Sequence, residues 1–132
     1  MDILLKKIKK FGLFKKTNFV ILYGSAAQGK TTPLSDIDIC ISLALPSAQR
    51  FKARVKLLGA LSEKYDIHIF EDLPLYVQKE VLAGKVIYCS NMERLVQRAL
   101  ALIREYEDFG PIYEHYISQR EIEPQRKEEA AL

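Results

Sequence analysis

The chain has 132 residues, 48% hydrophobic and 28% charged, with 20 Lys and Arg against 17 Asp and Glu for a formal net charge of +3. That length suits one domain whose core closes without disulfides or a structural metal, and the balance excludes a disordered or fibrous chain. The longest apolar run, Phe19 to Tyr23, is far short of the roughly 20 residues of a membrane span, and the N-terminus lacks the apolar stretch of a secretory signal, so a cytoplasmic protein with no membrane partner is expected.

From the N-terminus, Leu4, Leu5, Ile8 and Phe11 recur at helical spacing opposite Lys6, Lys7, Lys9 and Lys10, and Lys15 and Lys16 follow. An amphipathic helix with a solvated basic face explains this pattern. The alternative is an electrostatic platform for nucleic acid or polyphosphate, and a nucleic-acid partner is left open.

Asn18 to Tyr23 is β-branched and aromatic and ends at Gly24, the signature of a buried strand. Asp36 to Ser42 alternates Ile37, Ile39 and Ile41 with Asp36, Asp38 and Cys40, predicting a second strand. A helix is expected from Ser47 to Ser62, capped by Ser47 and packed through Phe51, Val55, Leu58 and Leu61. Tyr65 to Phe70 alternates again as a third strand. Asp72 and Pro74 open a short helix that Gly84 closes, and Val86 to Cys89 forms a short fourth strand.

Ser90 and Glu93 have capping-box spacing before a helix with Leu95, Ala99, Leu102 and Tyr106 on one face, which Gly110-Pro111 is expected to end. The fold class is α/β (α+β), a small mixed sheet of three to four strands with helices packed against it. Residues 1–110 form the domain, and 111–132 a short helix and a charged tail. Cys40 and Cys89 sit in apolar runs without metal-ligand spacing and read as reduced core thiols.

The segment Gly24-Ser25-Ala26-Ala27-Gln28-Gly29-Lys30-Thr31-Thr32-Pro33-Leu34-Ser35-Asp36-Ile37-Asp38 carries the chemistry. Its first eight residues satisfy the phosphate-loop pattern G-x-x-x-x-G-K-[ST]. That reading fails on geometry, because Pro33 falls inside the helix it requires. The next strand also begins too soon for a parallel crossover, which needs at least about 10–12 residues.

A second pattern uses more of the segment: Gly24-Ser25, ten residues, then Asp36-x-Asp38. Two positions apart on a strand, both carboxylates point to one face, with Cα atoms about 6.6 Å apart. Such a pair suits a two-Mg²⁺ clamp for in-line phosphoryl displacement, and a Gly-Ser turn beside it offers N–H groups and a hydroxyl to phosphate. A lone Asp-x-Asp is common on exposed strands; here it lies between isoleucines after a loop of small residues.

The stretch GSAAQGKTTPLSDIDICIS resembles the GSx(10)DxD signature of the DNA polymerase beta nucleotidyltransferase superfamily. More narrowly it resembles the minimal nucleotidyltransferases (MNT) of prokaryotes, through Gly24, Ser25, Ala27, Gly29, Ser35, Asp36 and Asp38. The resemblance covers about residues 15 to 105. It implies Asp36, Asp38 and Asp66 as catalytic, metal-holding carboxylates and Gly24, Ser25, Gly29 and Ser35 as nucleotide-binding, with Lys30 compensating for Gln28, where family members often carry Arg.

His68, two residues beyond Asp66, reads as packed or hydrogen-bonded rather than as a ligand. The resemblance further implies ATP as substrate, two Mg²⁺ ions, and transfer of AMP to a hydroxyl. At 132 residues no separate acceptor-binding domain is expected, so the acceptor would be held by a shallow surface, a homodimer mate or another protein. By family habit the partner is a HEPN-type toxin whose tyrosine receives AMP. A non-catalytic antitoxin acting by contact, kept open by Gln28, is the alternative from another class, and transfer to a small molecule or RNA is a third.

Overall fold

The computed structural model describes residues 2–24 and 36–121. In chain order these residues form α1 (Asp2–Lys10), a 3-10 turn (Phe14–Lys16), β1 (Thr17–Tyr23), β2 (Ile37–Leu43), α2 (Ser47–Ala60), β3 (Tyr65–Ile69), a second 3-10 turn (Phe70–Asp72), α3 (Leu75–Leu82), β4 (Lys85–Cys89) and α4 (Met92–Glu121). The strands make one mixed sheet in the order β3-β2-β1-β4. β1 is antiparallel to both β2 and β4, and β2 is parallel to β3. The antiparallel β1–β2 pair removes the phosphate-loop reading, since that motif requires a parallel crossover after its strand.

Period-two alternation divides the sheet into two faces. Val20, Ile39, Ile41, Leu43, Ile67 and Ile69 pack against Leu4 and Ile8 of α1 and Ala53 and Leu57 of α2. Phe19, Ile21, Tyr23 and Cys40 meet Phe70, Val81 of α3 and Leu95 of α4 on the other face. Both faces are thus covered, which is why the central strand β1 reads as a nearly continuous apolar run. Both thiols are free, Cys40 buried and Cys89 half-buried. Burial pushes the Cys40 thiol far above its ordinary range, so it stays protonated and inert.

Four local expectations change. In α2 the buried positions are Ala53 and Leu57, whereas Phe51 and Val55 are 64% and 51% exposed. A small residue at Ala53 lets the helix approach the sheet, and the two larger side chains one turn apart end on the solvent flank. α2 also begins after Pro46 with no side-chain cap, so Ser47 is its first turn rather than its N-cap.

The cap of α4 is Asn91, whose Oδ1 accepts from the Arg94 N–H at 3.1 Å, one residue later than the Ser90–Glu93 box. The Ser90 hydroxyl instead donates to the Asn18 carbonyl, tying the end of β4 to β1. Finally, α4 runs through Gly110-Pro111 to Glu121. Proline's fixed φ is itself helical, so within a helix it sacrifices one ladder bond and crowds the preceding turn without forbidding continuation. The tail from 122 to 132 lies outside the described residues.

Gly84 does more than close α3. A Cβ there would lie 2.5 Å from the Leu22 carbonyl oxygen and 2.9 Å from Ile21 Cγ2, so glycine is what lets the α3–β4 corner press against β1.

Candidate active site

Three strand segments converge on one end of the sheet, on the α3/α4 face. Asp38 is the second residue of β2, and in the parallel β2–β3 register it stands opposite Asp66. In the antiparallel β1–β2 register it stands opposite Tyr23, the last residue of β1. Strand alternation therefore turns all three toward the same face, with Gly24 closing the corner. Gly24 has φ +72°, and a Cβ at this position would run into the Asp38 carboxylate oxygen Oδ2. Only a residue without a side chain fits the left-handed turn and leaves the carboxylate its place.

The electrostatics mark the site as short of positive charge. The Asp38 carboxyl is raised above its ordinary value of 3.8, first by burial and then by the negative charge of Asp66, with Asp36 and Glu80 adding and His68 opposing. Tyr23, buried at the same corner, is pushed far above the phenol range, first by desolvation and then by the negative charges of Asp38, Asp66 and Glu80, so it stays protonated. His68 Nε2 lies 2.9 Å from Asp66 Oδ2, two residues along the same strand face. That is the hydrogen-bonded role expected for it, and it fixes the orientation of the Asp66 carboxylate.

Asp36 lies one residue before β2 and is exposed. The sheet thus brings Asp38 and Asp66 together, while Asp36 bears on Asp38 through its charge. Among the described residues no three His, Cys, Asp or Glu side chains already converge as a metal cage. Ser25, Gly29, Lys30 and Ser35, together with Gln28, lie outside the described residues. Glu80 on α3 was not expected: its charge acts on both Asp38 and Tyr23, yet it occupies a short helix with no motif spacing to announce it.

A cavity of about 220 Å³ lies elsewhere on this face, toward the far end of β2 from Asp38. Ser42, Glu71, Arg94, Leu95 and Arg98 line it with Phe70. Glu71 is engaged there, accepting from the Ser42 hydroxyl at 2.5 Å and the Leu43 N–H at 3.0 Å. This cavity is separate from the carboxylate pair, since Asp38 and Ser42 are four residues apart on an extended strand, roughly 13 Å.

Residues 6–93 match the family described as Polymerase beta, Nucleotidyltransferase. The chain belongs to the polymerase beta nucleotidyltransferase family. A Methanocaldococcus jannaschii protein provisionally named a protein adenylyltransferase is 44% identical over 75 residues, 56% of this chain and 57% of that protein. The chain therefore spans little more than half the length of the curated relative it matches.

A chain of the crystal structure of a toxin–antitoxin with AMP-PNP superposes with a TM-score of 0.69 at 22% identity, covering 89% of this chain and 95% of that one. A chain from the tri-AMPylated Shewanella oneidensis HEPN toxin in complex with MNT antitoxin gives a TM-score of 0.59 at 21% identity, covering 87% and 95%. These likenesses establish the nucleotidyltransferase fold, which among the described residues is a mixed four-strand sheet carrying four helices. No helix among the described residues is long and apolar enough to cross a membrane.

Proposed function

We propose that this nucleotidyltransferase moves AMP from ATP to a protein hydroxyl, a tyrosine of a HEPN-type toxin, and so acts as the adenylylating antitoxin of a toxin–antitoxin pair. The observation that carries the reading is the Asp38–Asp66 pair set across parallel strands beside Gly24, inside a family of nucleotidyltransferases. The acceptor class is supported by the name of the Methanocaldococcus jannaschii relative and by the MNT antitoxin–AMPylated HEPN toxin complex of the same fold.

Paired carboxylates that repel each other, with oxygen as the only donor atom, fit a hard divalent cation. Mg²⁺ held by Asp36, Asp38 and Asp66, as two ions in the full complex, would neutralise the triphosphate and acidify the acceptor hydroxyl. The chain's own residues do the rest. Gly24 and Ser25, with Gly29, Ser35 and Lys30, bind the β and γ phosphates and so align the leaving group. The acceptor oxygen bonds to the α-phosphorus as the bond to the β-phosphate oxygen breaks, releasing pyrophosphate. The Asp66 carboxylate, oriented by His68, lies on the same face to take the hydroxyl proton.

Incubation with ATP labelled at the α-phosphate, Mg²⁺ and a HEPN protein encoded beside this chain tests the proposal. Label on the HEPN protein, lost in Asp38→Asn, is the expected result. Inhibition of the toxin without any label would instead favour an antitoxin that acts by contact alone.

A further inference from the structure

The long helix α4 offers a second face that the fold does not use. Leu95 and Leu102 are buried, yet Met92, Val96, Leu100 and Ile103 are 58%, 52%, 52% and 48% exposed. Spaced four, four and three residues apart, these side chains form one stripe along three turns of helix, joined to the buried edge by half-buried Ala99. Isolated exposed apolar residues are ordinary, but four in a continuous row mark a docking surface.

We infer that this stripe is a self-association surface, on which α4 of a second copy lies antiparallel. The stripe is nearly symmetric about a point between Gln97 and Arg98, so an antiparallel copy sets Met92 opposite Ile103 of the second copy and Val96 opposite Leu100 of the second copy, and then repeats both contacts. The same twofold operation acts on charge. Glu93 and Arg104 lie on one flank of the stripe, and neither has an ion-pair partner among the described residues. In the antiparallel arrangement Glu93 of each copy faces Arg104 of the other, closing two ion pairs at the rim.

An isologous interface requires this kind of match, in which the residue that contacts and the residue contacted exchange roles across the axis. Apolar and charged positions that are both self-complementary favour a second copy over a partner of unrelated sequence. The opposite flank of the stripe carries the body of the domain through Leu95 and Leu102, so the two bodies lie side by side behind the helix pair. Stable interfaces bury about 1,200–2,000 Å² in total. Twelve residues of helix, about 18 Å, give a modest contact and hence a concentration-dependent dimer.

Analytical ultracentrifugation of the full chain, alone and from low micromolar to near-millimolar concentration, tests the inference. The expected result is a mass rising toward twice the 15.2 kDa protomer. Leu100→Glu should hold the chain at the protomer mass with unchanged helicity by circular dichroism. Glu93→Arg and Arg104→Glu should each weaken association about tenfold, and the double exchange should restore it. A chain that stays monomeric at every concentration, a dimer indifferent to Leu100→Glu, or a double exchange that fails to rescue would overturn the inference. So would a stripe covered only after a HEPN protein is added. None of these outcomes depends on AMP transfer, which is read separately by label.

Discussion

Asp38 and Asp66 stand opposite each other across the parallel β2–β3 pair, and the negative charge of Asp66 helps hold the Asp38 carboxyl above its ordinary value. Two like charges kept side by side by backbone hydrogen bonds are a standing liability for the metal-free fold and an attraction for a cation. Both halves of that statement can be measured.

Asp38→Asn should abolish AMP transfer while leaving the metal-free protein as stable as the parent or more so. The pH dependence follows from the raised carboxyl. Between 3.8 and its folded value the native state holds more proton than the unfolded chain, so stability falls as pH rises through that window, and the penalty is fully present above it. Urea denaturation in EDTA across mildly acid pH should show this decline in the parent and a flatter profile in Asp38→Asn. A variant that melts well below the parent would assign Asp38 a structural role.

Mg²⁺ should raise the melting temperature of the parent, because an ion bound only by the native state stabilises it by mass action. Thermal scans with and without Mg²⁺ should separate the parent, which shifts, from Asp66→Asn, which shifts less or not at all.

Gly24→Ala meets two obstacles, a positive φ and the Asp38 carboxylate where its methyl group must go. A loss of about 1–3 kcal/mol in chemical denaturation is expected, together with loss of transfer as Asp38 is displaced.

The two faces of α2 give opposite expectations. Leu57→Ala should destabilise by about 2–5 kcal/mol, whereas Phe51→Ala should fall within about 0.5 kcal/mol of the parent despite removing the larger side chain. Equal effects would contradict the observed packing of this helix.

This helix also shows where sequence reading reached its limit. Strands β2 and β3 were legible because Ile37, Ile39, Ile41, Ile67 and Ile69 alternate cleanly, and the apolar face of α4 because Leu95 and Leu102 keep its period. In α2 two apolar sets compete, Phe51 with Val55 and Ala53 with Leu57, and hydrophobicity alone prefers the larger one. The sheet selects the other because alanine permits closer approach, a fact about the facing surface rather than about the helix.

The cap of α4 was misplaced by one residue for a similar reason. Ser90 and Asn91 are both good caps, and the pull of Asn18 on the Ser90 hydroxyl decides between them. Asn91→Ala should therefore weaken the fold by about 0.5–2 kcal/mol, and Ser90→Ala by less. At the site, the motif identified Asp36 and Asp38, and the following strand offered Asp66. Glu80 was invisible because its relation to Asp38 exists only once α3 has folded over the sheet.

The parallel pairing of β2 with β3 has a consequence for how the protein comes into being. Asp38 and Asp66 are neighbours in space only after the chain has travelled through all of α2 and returned, so no local hairpin could assemble them early. A chain emerging from the ribosome has its loop and first two carboxylates well before it has the third. On the proposed function, chemistry that needs Asp66 is silent in the unfinished molecule, and a first turnover would report that this non-local strand pair has closed.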